Sequence, residues 1–524
     1  MPTTDTPAIE APATRSKSIA LIAMLLAVAM TFIDQTIVSI ASPNIQSELS
    51  LSQEGSRWVI NAYLLALAAT FAFGGRLADV LGHRRMVAIG ILGFAGSSLL
   101  CGLTPANGAA EAWLIIFRAA QGVSGAIMIP AALAVVVSAF PVRERGRAMA
   151  IFFGVSGGLT AIGPIAGGFL TQWTWRAIFW INVPIALIAL VLLAVAHIAP
   201  TRRRERIDFR GAVLAAAGMG LSVLGFEQAP QWGWDNVGTW LCIVGGLAVI
   251  VIFVLVEART ESPLIKVRIF RGLAFVVDNA VLFLSMIAFV PVFFFASVYA
   301  QFSLGFDANE AGLYLLIFFG GFAPAAQIGG RILDARGARV PVIAGSALAA
   351  AGFALWAWKI TDLSLGAQWP FIVIAGAGVG LLLGPASTDA VNRAIGASYG
   401  EVTGITQTVR NYASALGIAV LGTVLSTVFS HRLVSSLVAL GVPRAQAQSA
   451  AESASRLGSG SGGGLSAAIE GAVKHDFAVA TGWVLGGMAI TLGVSFLVAL
   501  AHPGGRPQAE LAPPASDPVS AETA

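Results

Sequence analysis

The sequence predicts an all-α protein that crosses a membrane fourteen times, because its composition is apolar throughout and its apolar runs have the length of membrane-spanning helices. Of the 524 residues, 56% are hydrophobic and 11% are charged, and the mean hydropathy is +0.81. A soluble domain is typically about 45–50% apolar and roughly 25% charged. This chain has too few charges to cover a water-soluble protein of its length. The composition therefore excludes a soluble enzyme, a disordered chain and a nucleic-acid binder.

The apolar runs give the number of spans. A membrane-spanning helix needs about 20 mainly apolar residues. The chain contains fourteen such runs, near residues 19–42, 58–75, 86–104, 112–138, 148–171, 176–198, 211–228, 238–257, 273–300, 309–330, 340–359, 369–390, 401–429 and 477–501. We expect the first run to be a retained helix, because it is too long for a signal-peptide core and no cleavage-like site follows it.

The Lys and Arg residues predict the orientation of the spans. Of the 31, 22 fall in the segments on the side of the two termini and seven on the opposite side, and Arg118 and Arg410 lie within spans. Cytoplasmic loops carry an excess of Lys and Arg. Both termini are therefore predicted to be cytoplasmic.

An internal repeat divides the chain into two halves. The loop at Gly75–Arg84 reads GRLADVLGHR and the loop at Gly330–Arg339 reads GRILDARGAR, with five of ten positions identical. Glycines permit a tight turn, and Asp79 could cap a helix or pair with a cation across the interface between the halves. Parallel repeats of this kind build transporters that rock around a central site.

The repeat is regular once a two-helix insert is allowed between its copies. The predicted domains are a six-helix bundle at residues 1–200, the insert at 201–268, and a second six-helix bundle at 269–505 that contains a long outer loop at 431–476. A Pro- and Ala-rich tail, predicted to be disordered, follows at 506–524.

Two charged residues within spans are candidates for function, since charge inside a bilayer is costly. Asp34 lies roughly 13 Å and Arg118 roughly 9 Å below the outer ends of spans one and four, at 1.5 Å per residue. A shared cavity is therefore plausible. Arg stays protonated, so we expect Asp34 to carry a coupled proton and Arg118 to tune it. The alternative is a structural ion pair between the two spans.

A second charge site is predicted nearer the cytoplasm. Arg410 could pair there with Asp278 or Asp389, either for function or for structure. Glu227, close to the outer end of span seven, is expected to be solvated. The run Phe293–Phe295 is expected to face lipid or to pack.

Four motifs in the expected spans and order resemble those of the fourteen-helix drug:proton antiporters of the major facilitator superfamily. The first span follows Asp-x-Thr-Ile-Val-Asn-Val-Ala-Leu-Pro with departures at Ser39 and Ser42, and the fourth has Arg-x-x-Gln-Gly intact. The loop after the second span matches Gly-x-Leu-x-Asp-Arg-x-Gly-Arg-Arg-Arg, with Val80 and His83 at two arginine positions, and the fifth span has Gly-Pro-x-x-Gly-Gly. The matching residues are Asp34, Thr36, Ile37, Val38, Ala41, Pro43, Gly75, Leu77, Asp79, Gly82, Arg84, Arg85, Arg118, Gln121, Gly122, Gly163, Pro164, Gly167 and Gly168.

The resemblance implies the major facilitator fold and assigns roles to these motifs. The loops act as conformational gates through Gly75, Asp79, Gly82, Arg84 and Arg85 in one half and Gly330, Asp334, Gly337 and Arg339 in the other. The segment with Gly163, Pro164, Gly167 and Gly168 implies a seal that prevents proton leak.

The sequence and its resemblance to this family thus imply a secondary transporter in the inner membrane of a bacterial cell that exports amphipathic drugs or related small molecules in exchange for protons. Its partners would be a small-molecule substrate, protons and membrane lipid, with no nucleic acid, cofactor or metal, and no phosphate-binding loop is present. Alternatives are an exporter or facilitator of one endogenous metabolite, or an importer of the same fold. A channel, a membrane enzyme or a sensor is disfavoured, because no convergent catalytic residues and no K⁺-filter sequence are found.

Overall fold

The computed structural model describes residues 14–140, 152, 162–196, 208–261, 263–265, 269–270, 272–393, 399–448 and 467–504, and no β-strand occurs among them. The bounded α-helices are α1 (Thr14–Leu49), α2 (Gln53–Leu81), α3 (His83–Gly102), α4 (Ala110–Ala139), α5 (Ile162–Trp173), α6 (Ala177–Trp180), α7 (Asn182–Val195), α8 (Phe209–Trp232), α9 (Val237–Glu257), α10 (Leu273–Phe302), α11 (Ala308–Arg336), α12 (Arg339–Lys359), α13 (Leu365–Arg393), α14 (Tyr399–Ala439) and α15 (Ala467–Leu500).

Thirteen helical segments in this part of the chain are long and apolar enough to cross a membrane. They match all the predicted spans except the fifth, at 148–171, most of which lies outside the described residues. Helices α14 and α15 extend into the predicted outer loop at 431–476, so both flanks of that loop continue spans. The tail at 506–524 also lies outside the described residues.

The two copies of the repeat make the same turn. Gly82 lies between α2 and α3 and Gly337 between α11 and α12, with φ of 99° and 82° in the region that favours glycine. Each glycine N–H closes the preceding helix, on the carbonyl oxygen of Ala78 or of Leu333. The sequence repeat is therefore a repeat of structure.

Corresponding helices pack alike in the two halves. Helix α2 packs on α4, and α11 packs on α13. An ideal Cβ placed on Gly122 would lie 2.4 Å from the carbonyl oxygen of Tyr63, and one on Gly376 would lie 2.0 Å from that of Phe318. Small residues at such crossings let the two backbones approach closely.

The most extensive contacts between the halves involve three helix pairs and the insert. Helix α1 packs on α10, α5 on α11 and α2 on α14, while α8 lies against both α2 and α14 and is covered by α9. We call the side with the loops 50–52, 103–109 and 303–307 the predicted outer side, and the opposite side the predicted inner side. Helix α9 presents exposed apolar side chains such as Leu241, Val244 and Val251, as expected for a surface that lipid covers.

Candidate functional site

The polar network predicted from Asp34 and Arg118 exists and is fully buried. Asp34 is 1% exposed, and Arg118 and Gln121 are 0% exposed. Arg118 Nη1 donates to Asp34 Oδ2, and Gln121 Nε2 donates to Asp34 Oδ1 at 3.0 Å. Both carboxylate oxygens therefore accept a hydrogen bond, from a charged and from a neutral donor.

Arg118 is held by more than the carboxylate. Its Nη1 also donates to Gln121 Oε1 at 2.7 Å, and its Nε donates to the Val59 carbonyl oxygen at 2.9 Å. The guanidinium carbon lies 4.4 Å from the centroid of the Tyr63 ring, a distance at which a cation and an aromatic face attract. Helices α1, α2 and α4 thus meet at one charged group.

The network continues to the next helices through a serine. Gln121 Nε2 lies 3.3 Å from Ser98 Oγ, which also accepts from Asn182 Nδ2 at 2.9 Å. Ser98 Oγ donates to the Phe179 carbonyl oxygen at 2.9 Å. The geometry brings Asp34 and Arg118 together as predicted. A carboxylate in this position can gain or lose a proton, and its part in coupling stays a prediction.

The segment Gly163–Gly168 forms a wedge between the halves. An ideal Cβ on Gly163 would lie 1.9 Å from Thr36 Oγ1 of α1, and one on Gly168 would lie 2.9 Å from the Asn309 Cα of α11. A Cβ on Gly312 would in turn lie 2.6 Å from the Pro164 carbonyl oxygen. Helix α5 can fit between α1 and α11 only because these positions lack side chains.

Several contacts between the halves lie toward the predicted outer side. Besides the wedge, Gln301 Nε2 of α10 donates to the Ile40 carbonyl oxygen of α1 at 3.2 Å. The outer ends of α5 and α11 are pressed together at Gly168 and Asn309. The predicted outer side is closed at this interface.

Asp79 pairs within its own loop instead of across the interface. Its Oδ1 lies 3.0 Å from His83 Nε2, one turn further along the chain. Arg84 Nη2 donates to the Ala194 carbonyl oxygen of α7 at 3.1 Å, in the same half. The partner of Asp79 is therefore His83, the residue that stands where the family motif has an arginine. The gating role of both loops stays a prediction.

The predicted pairing of Arg410 with Asp278 or Asp389 is wrong. Arg410 Nη1 donates to Gln407 Oε1 at 2.9 Å, on its own helix α14. The two carboxylates instead lie near His502: Nε2 of His502 is 3.2 Å from Asp389 Oδ2 and 3.4 Å from Asp278 Oδ1. Sequence reasoning missed His502 because this residue follows the last predicted span, which ends at residue 501.

These three residues bring donor atoms within 4.8 Å of one another, close enough for a metal ion to be considered. The Gly504 N–H donates to His502 Nδ1 at 3.1 Å. Nδ1 is therefore the acceptor of the ring and Nε2 carries the hydrogen. A protonated Nε2 has no lone pair for a metal, so the donor set does not fit a metal as it stands.

The expectation that Glu227 is solvated is also wrong. Glu227 is 1% exposed, and its Oε1 accepts from Arg57 Nε. Its Oε2 accepts from Asn61 Nδ2 at 3.1 Å, and Arg57 Nη1 donates to Ser426 Oγ of α14 at 3.2 Å. Arg57 therefore joins the first half, the insert and the second half. The signal in the sequence was a polar pair one turn apart, Arg57 and Asn61, at the start of a span.

The run Phe293–Phe295 is buried and packs rather than facing lipid. Phe293 stacks on Phe319 with ring centroids 5.2 Å apart and contacts Phe318 edge-on at 5.7 Å. The cluster joins α10 to α11 inside the second half.

The fold and the buried polar networks define a helical membrane transporter built from two like halves. Residues 24–418 match the family model of the Major Facilitator Superfamily. The chain belongs to this superfamily, as its motifs predicted, and the fold class is confirmed.

Three relatives show where in the superfamily the chain lies. It is 33% identical to the tetracenomycin C resistance and export protein of Streptomyces glaucescens, with 78% of this chain and 76% of that protein covered. It is 34% identical to the puromycin resistance protein pur8 of Streptomyces alboniger, with 77% of this chain and 81% of that protein covered. It is 31% identical to the multidrug resistance protein Stp of Mycobacterium tuberculosis, with 79% of this chain and 76% of that protein covered.

Solved structures show the same fold. A bacterial homologue of the human lysosomal transporter Spinster, in an inward-facing and unoccupied conformation, has a TM-score of 0.62 and 15% identity, with 94% of this chain and 98% of that chain covered. The partially occluded inward-open xylose transporter XylE of E. coli has a TM-score of 0.57 at 14% identity, with 78% of this chain and 92% of that chain covered.

Proposed function

We propose that the protein exports amphipathic drugs or related small molecules across the plasma membrane of a bacterium, in exchange for protons. Two six-helix bundles, at residues 1–200 and 269–505, would rock about a central site, and the insert at 201–268 would join them. Both termini would lie in the cytoplasm. The protein performs no chemical conversion in this proposal; its substrate and protons are moved unchanged.

The observation that carries the proposal is the buried group of Asp34, Arg118 and Gln121. An export cycle driven by protons needs a group that is charged in one state and neutral in another. Among the three, the carboxyl group of Asp34 can bind and release a proton, whereas the guanidinium of Arg118 stays charged. When Asp34 is neutral, Arg118 keeps the Val59 carbonyl and Gln121 as acceptors, so the network can survive the change.

The closed interface supports export by alternating access. Gln301 and the Gly163–Gly168 wedge hold the halves together on the predicted outer side. A substrate would enter this conformation from the inner side. Separation of α5 from α11 would then open the outer side. The two helices meet at glycines, which have no side chains, so this separation would break no ion pair between them.

A narrower substrate range is the second candidate, and the names of the relatives favour it. Two relatives are named for one compound each, tetracenomycin C and puromycin, whereas Stp is named for multidrug resistance. This chain could therefore export a single metabolite with the same machinery.

Dye export from cells tests the proposal. We expect cells that produce the protein to accumulate less ethidium than control cells, and a protonophore to abolish the difference. Asp34→Asn should reduce export to the background while the protein inserts normally. Asp362→Asn, a carboxylate exposed between α12 and α13, is the matched control and should export like the wild type. Full export by Asp34→Asn would reject Asp34 as the coupling group, and export that persists with a protonophore would reject proton coupling.

A further inference from the structure

Helix α8 of the insert lies between α2 of the first half and α14 of the second half, and its bonds to α2 involve charged groups. Arg57 Nε and Asn61 Nδ2 of α2 donate to the two carboxylate oxygens of Glu227 on α8. Arg57 is 3%, Asn61 0% and Glu227 1% exposed. A buried carboxylate of the insert is therefore neutralised and hydrogen-bonded by the first half.

A second carboxylate continues this contact to the outer end of α2. Glu54 accepts from Gln228 Nε2 and Gln231 Nε2 of α8, one on each carboxylate oxygen. At the inner ends of the same two helices, the rings of Phe209 and Phe73 have centroids 5.6 Å apart. Phe209 and Gln228 are 19 residues apart on α8, as are Glu54 and Phe73 on α2. The two antiparallel helices therefore stay side by side over about 28 Å, close to the roughly 30 Å of a hydrocarbon core.

Hydrogen bonds between neutral groups join α8 to α14. Ser222 Oγ of α8 lies 2.8 Å from Tyr412 OH, and Thr423 Oγ1 donates to the Phe226 carbonyl oxygen at 2.7 Å. A hydrogen bond with a charged partner is roughly twice as strong as a neutral one. The stronger bonds of α8 are therefore those that it makes with α2.

The hydroxyl groups between α8 and α14 also have acceptors on their own helices. Thr423 Oγ1 lies 2.9 Å from the carbonyl oxygen four residues earlier on α14, and Ser222 Oγ lies 2.9 Å from the carbonyl oxygen three residues earlier on α8. Both keep an acceptor if α8 and α14 part. Separation of α8 from α2 would instead leave the charges of Glu227 and Arg57 apart within the membrane, which is costly.

Arg57 itself contacts α14 through groups that it can leave. Its Nη1 donates to Ser426 Oγ at 3.2 Å, and an ideal Cβ on Gly422 would lie 2.7 Å from its Cδ. Ser426 Oγ in turn donates to the Gly422 carbonyl oxygen at 2.9 Å. Helix α14 thus meets Arg57 with a glycine surface and a hydroxyl group, and Arg57 can withdraw from both while it stays paired with Glu227.

We propose that the insert moves with the first half, so that α2 and α8 form one unit and the outer side opens between this unit and α14. Glu227 and Glu54 are positioning residues that keep α8 on α2. The contacts of Thr423 and Ser426 with this unit break each time the outer side opens. The inference rests on the alternating access of the proposed function.

Distances between pairs of spin labels, measured by pulsed electron resonance on the purified full-length protein, test which half the insert follows. Cys101 and Cys242 are first replaced by Ser. Labels are then attached, two at a time, at three exposed positions of the predicted outer side. The first-half label is at Ala106→Cys, the insert label at Asp235→Cys and the second-half label at Asp362→Cys.

A leucine in the wedge between α5 and α11 supplies the open conformation for comparison. The Cβ of Gly168→Leu would collide with the backbone of α11, and that of Gly312→Leu, the second variant, with the backbone of α5. We expect the insert label to move away from the second-half label by several ångströms and to keep its distance from the first-half label. An insert label that moves away from the first half, or from both halves, would overturn the proposal.

Two further variants, made without a leucine in the wedge, test whether the charged bonds hold the insert. Glu54→Gln keeps the size of the side chain and removes its charge, so it should broaden the distance distribution between the insert and first-half labels. Thr423→Val, which removes a hydroxyl group on the α14 side, is the matched control and should leave that distribution unchanged. Equal widths in the two variants, or broadening in Thr423→Val alone, would overturn the proposal. Ethidium export by the wild type tests the proposed function separately, because alternating access could operate with the insert attached to either half.

Discussion

At the scale of single residues, the Asp34–Arg118 pair is held by neighbours that are neutral. Gln121 is hydrogen-bonded to both Asp34 and Arg118. The guanidinium of Arg118 also donates to the Val59 carbonyl oxygen and lies against the face of the Tyr63 ring. A buried ion pair adds little over an apolar pair of the same volume, but removal of one partner leaves a bare charge in the interior. The pair is therefore better explained by its ability to change charge than by its contribution to stability.

Removing Arg118 alone should be more harmful than removing both charges. We expect Arg118→Met to lower the free energy of unfolding by about 3–5 kcal/mol, because the Asp34 carboxylate loses its counter-ion. Adding Asp34→Asn should restore more than half of that loss without restoring export. Unfolding midpoints in detergent measure the first effect and dye export the second. Equal midpoints for Arg118→Met and the double variant would contradict the prediction that the unpaired Asp34 carboxylate causes the loss.

At the scale of elements, α5 shows how missing side chains build an interface. Gly163 and Gly168 bring its backbone against α1 and α11, and the backbone has no side chain to withdraw when the halves separate. Such a surface can close tightly and open without breaking hydrogen bonds. This is what a seal that opens in every cycle requires.

A bulky side chain at Gly163 should therefore block export. Its Cβ alone would collide with Thr36 Oγ1, and overpacking typically costs about 1–3 kcal/mol. We expect Gly163→Leu to insert in the membrane but to export little dye. Gly245→Leu on α9, where a Cβ meets nothing within 4 Å, is the control. Normal export by Gly163→Leu would mean that the wedge has no mechanical role.

The insert helix α8 is the second element whose contacts cross the molecule. Besides Glu227 with Arg57, Ser222 Oγ lies 2.8 Å from Tyr412 OH, and Thr423 Oγ1 donates to the Phe226 carbonyl oxygen at 2.7 Å. Helix α8 is thus hydrogen-bonded to α2 on one side and to α14 on the other. In the proposed rocking motion, α8 would have to release one of these two helices.

Breaking this connection at one end should cost stability. We expect Glu227→Met to lower the free energy of unfolding by about 3–5 kcal/mol, because it leaves the Arg57 guanidinium buried without its carboxylate. The double variant Arg57→Met with Glu227→Met should recover most of that loss. Thermal unfolding of the purified protein measures both. Asp362→Asn, which breaks an exposed ion pair, is the control and should change the unfolding midpoint little. If Glu227→Met had the same midpoint as Asp362→Asn, the prediction would be contradicted.

At the scale of the whole molecule, the paired turns at Gly82 and Gly337 place like loops of both halves on one side. The Arg-rich loops predict that this side is cytoplasmic. The opposite side carries Asp362, in the connection between α12 and α13, while Asp334 lies near the end of α11. The two exposed aspartates therefore mark opposite sides of the membrane.

Cysteine labelling tests this topology directly. In a background with Cys101 and Cys242 replaced by Ser, a membrane-impermeant maleimide should label Asp362→Cys in intact cells. Asp334→Cys should react only in inside-out vesicles. The reverse pattern would invert the orientation, and labelling of both sites in intact cells would contradict the predicted spans.

Much of this architecture follows from local sequence. The spans follow from apolar length, the repeat from its glycines, and the meeting of Asp34 with Arg118 from their similar depth in neighbouring helices. Depth says nothing of rotation about a helix axis, and Arg410 donates to Gln407 of its own helix, where depth alone suggested a carboxylate partner. Nor does depth place the insert, whose Glu227 has its partner 170 residues earlier in the chain.

The bridge made by Arg57 has a consequence for how such a protein could be shortened. Excising residues 208–261 would remove the counter-ion of Arg57, the acceptor of Asn61 and the hydroxyl opposite Tyr412 at once. A twelve-helix version would then leave the polar groups of Arg57, Asn61 and Tyr412 without these hydrogen-bond partners on a face open to lipid. Such a version would need Arg57, Asn61 and Tyr412 to be exchanged for apolar residues, because the faces of α2 and α14 that now contact α8 would lie open.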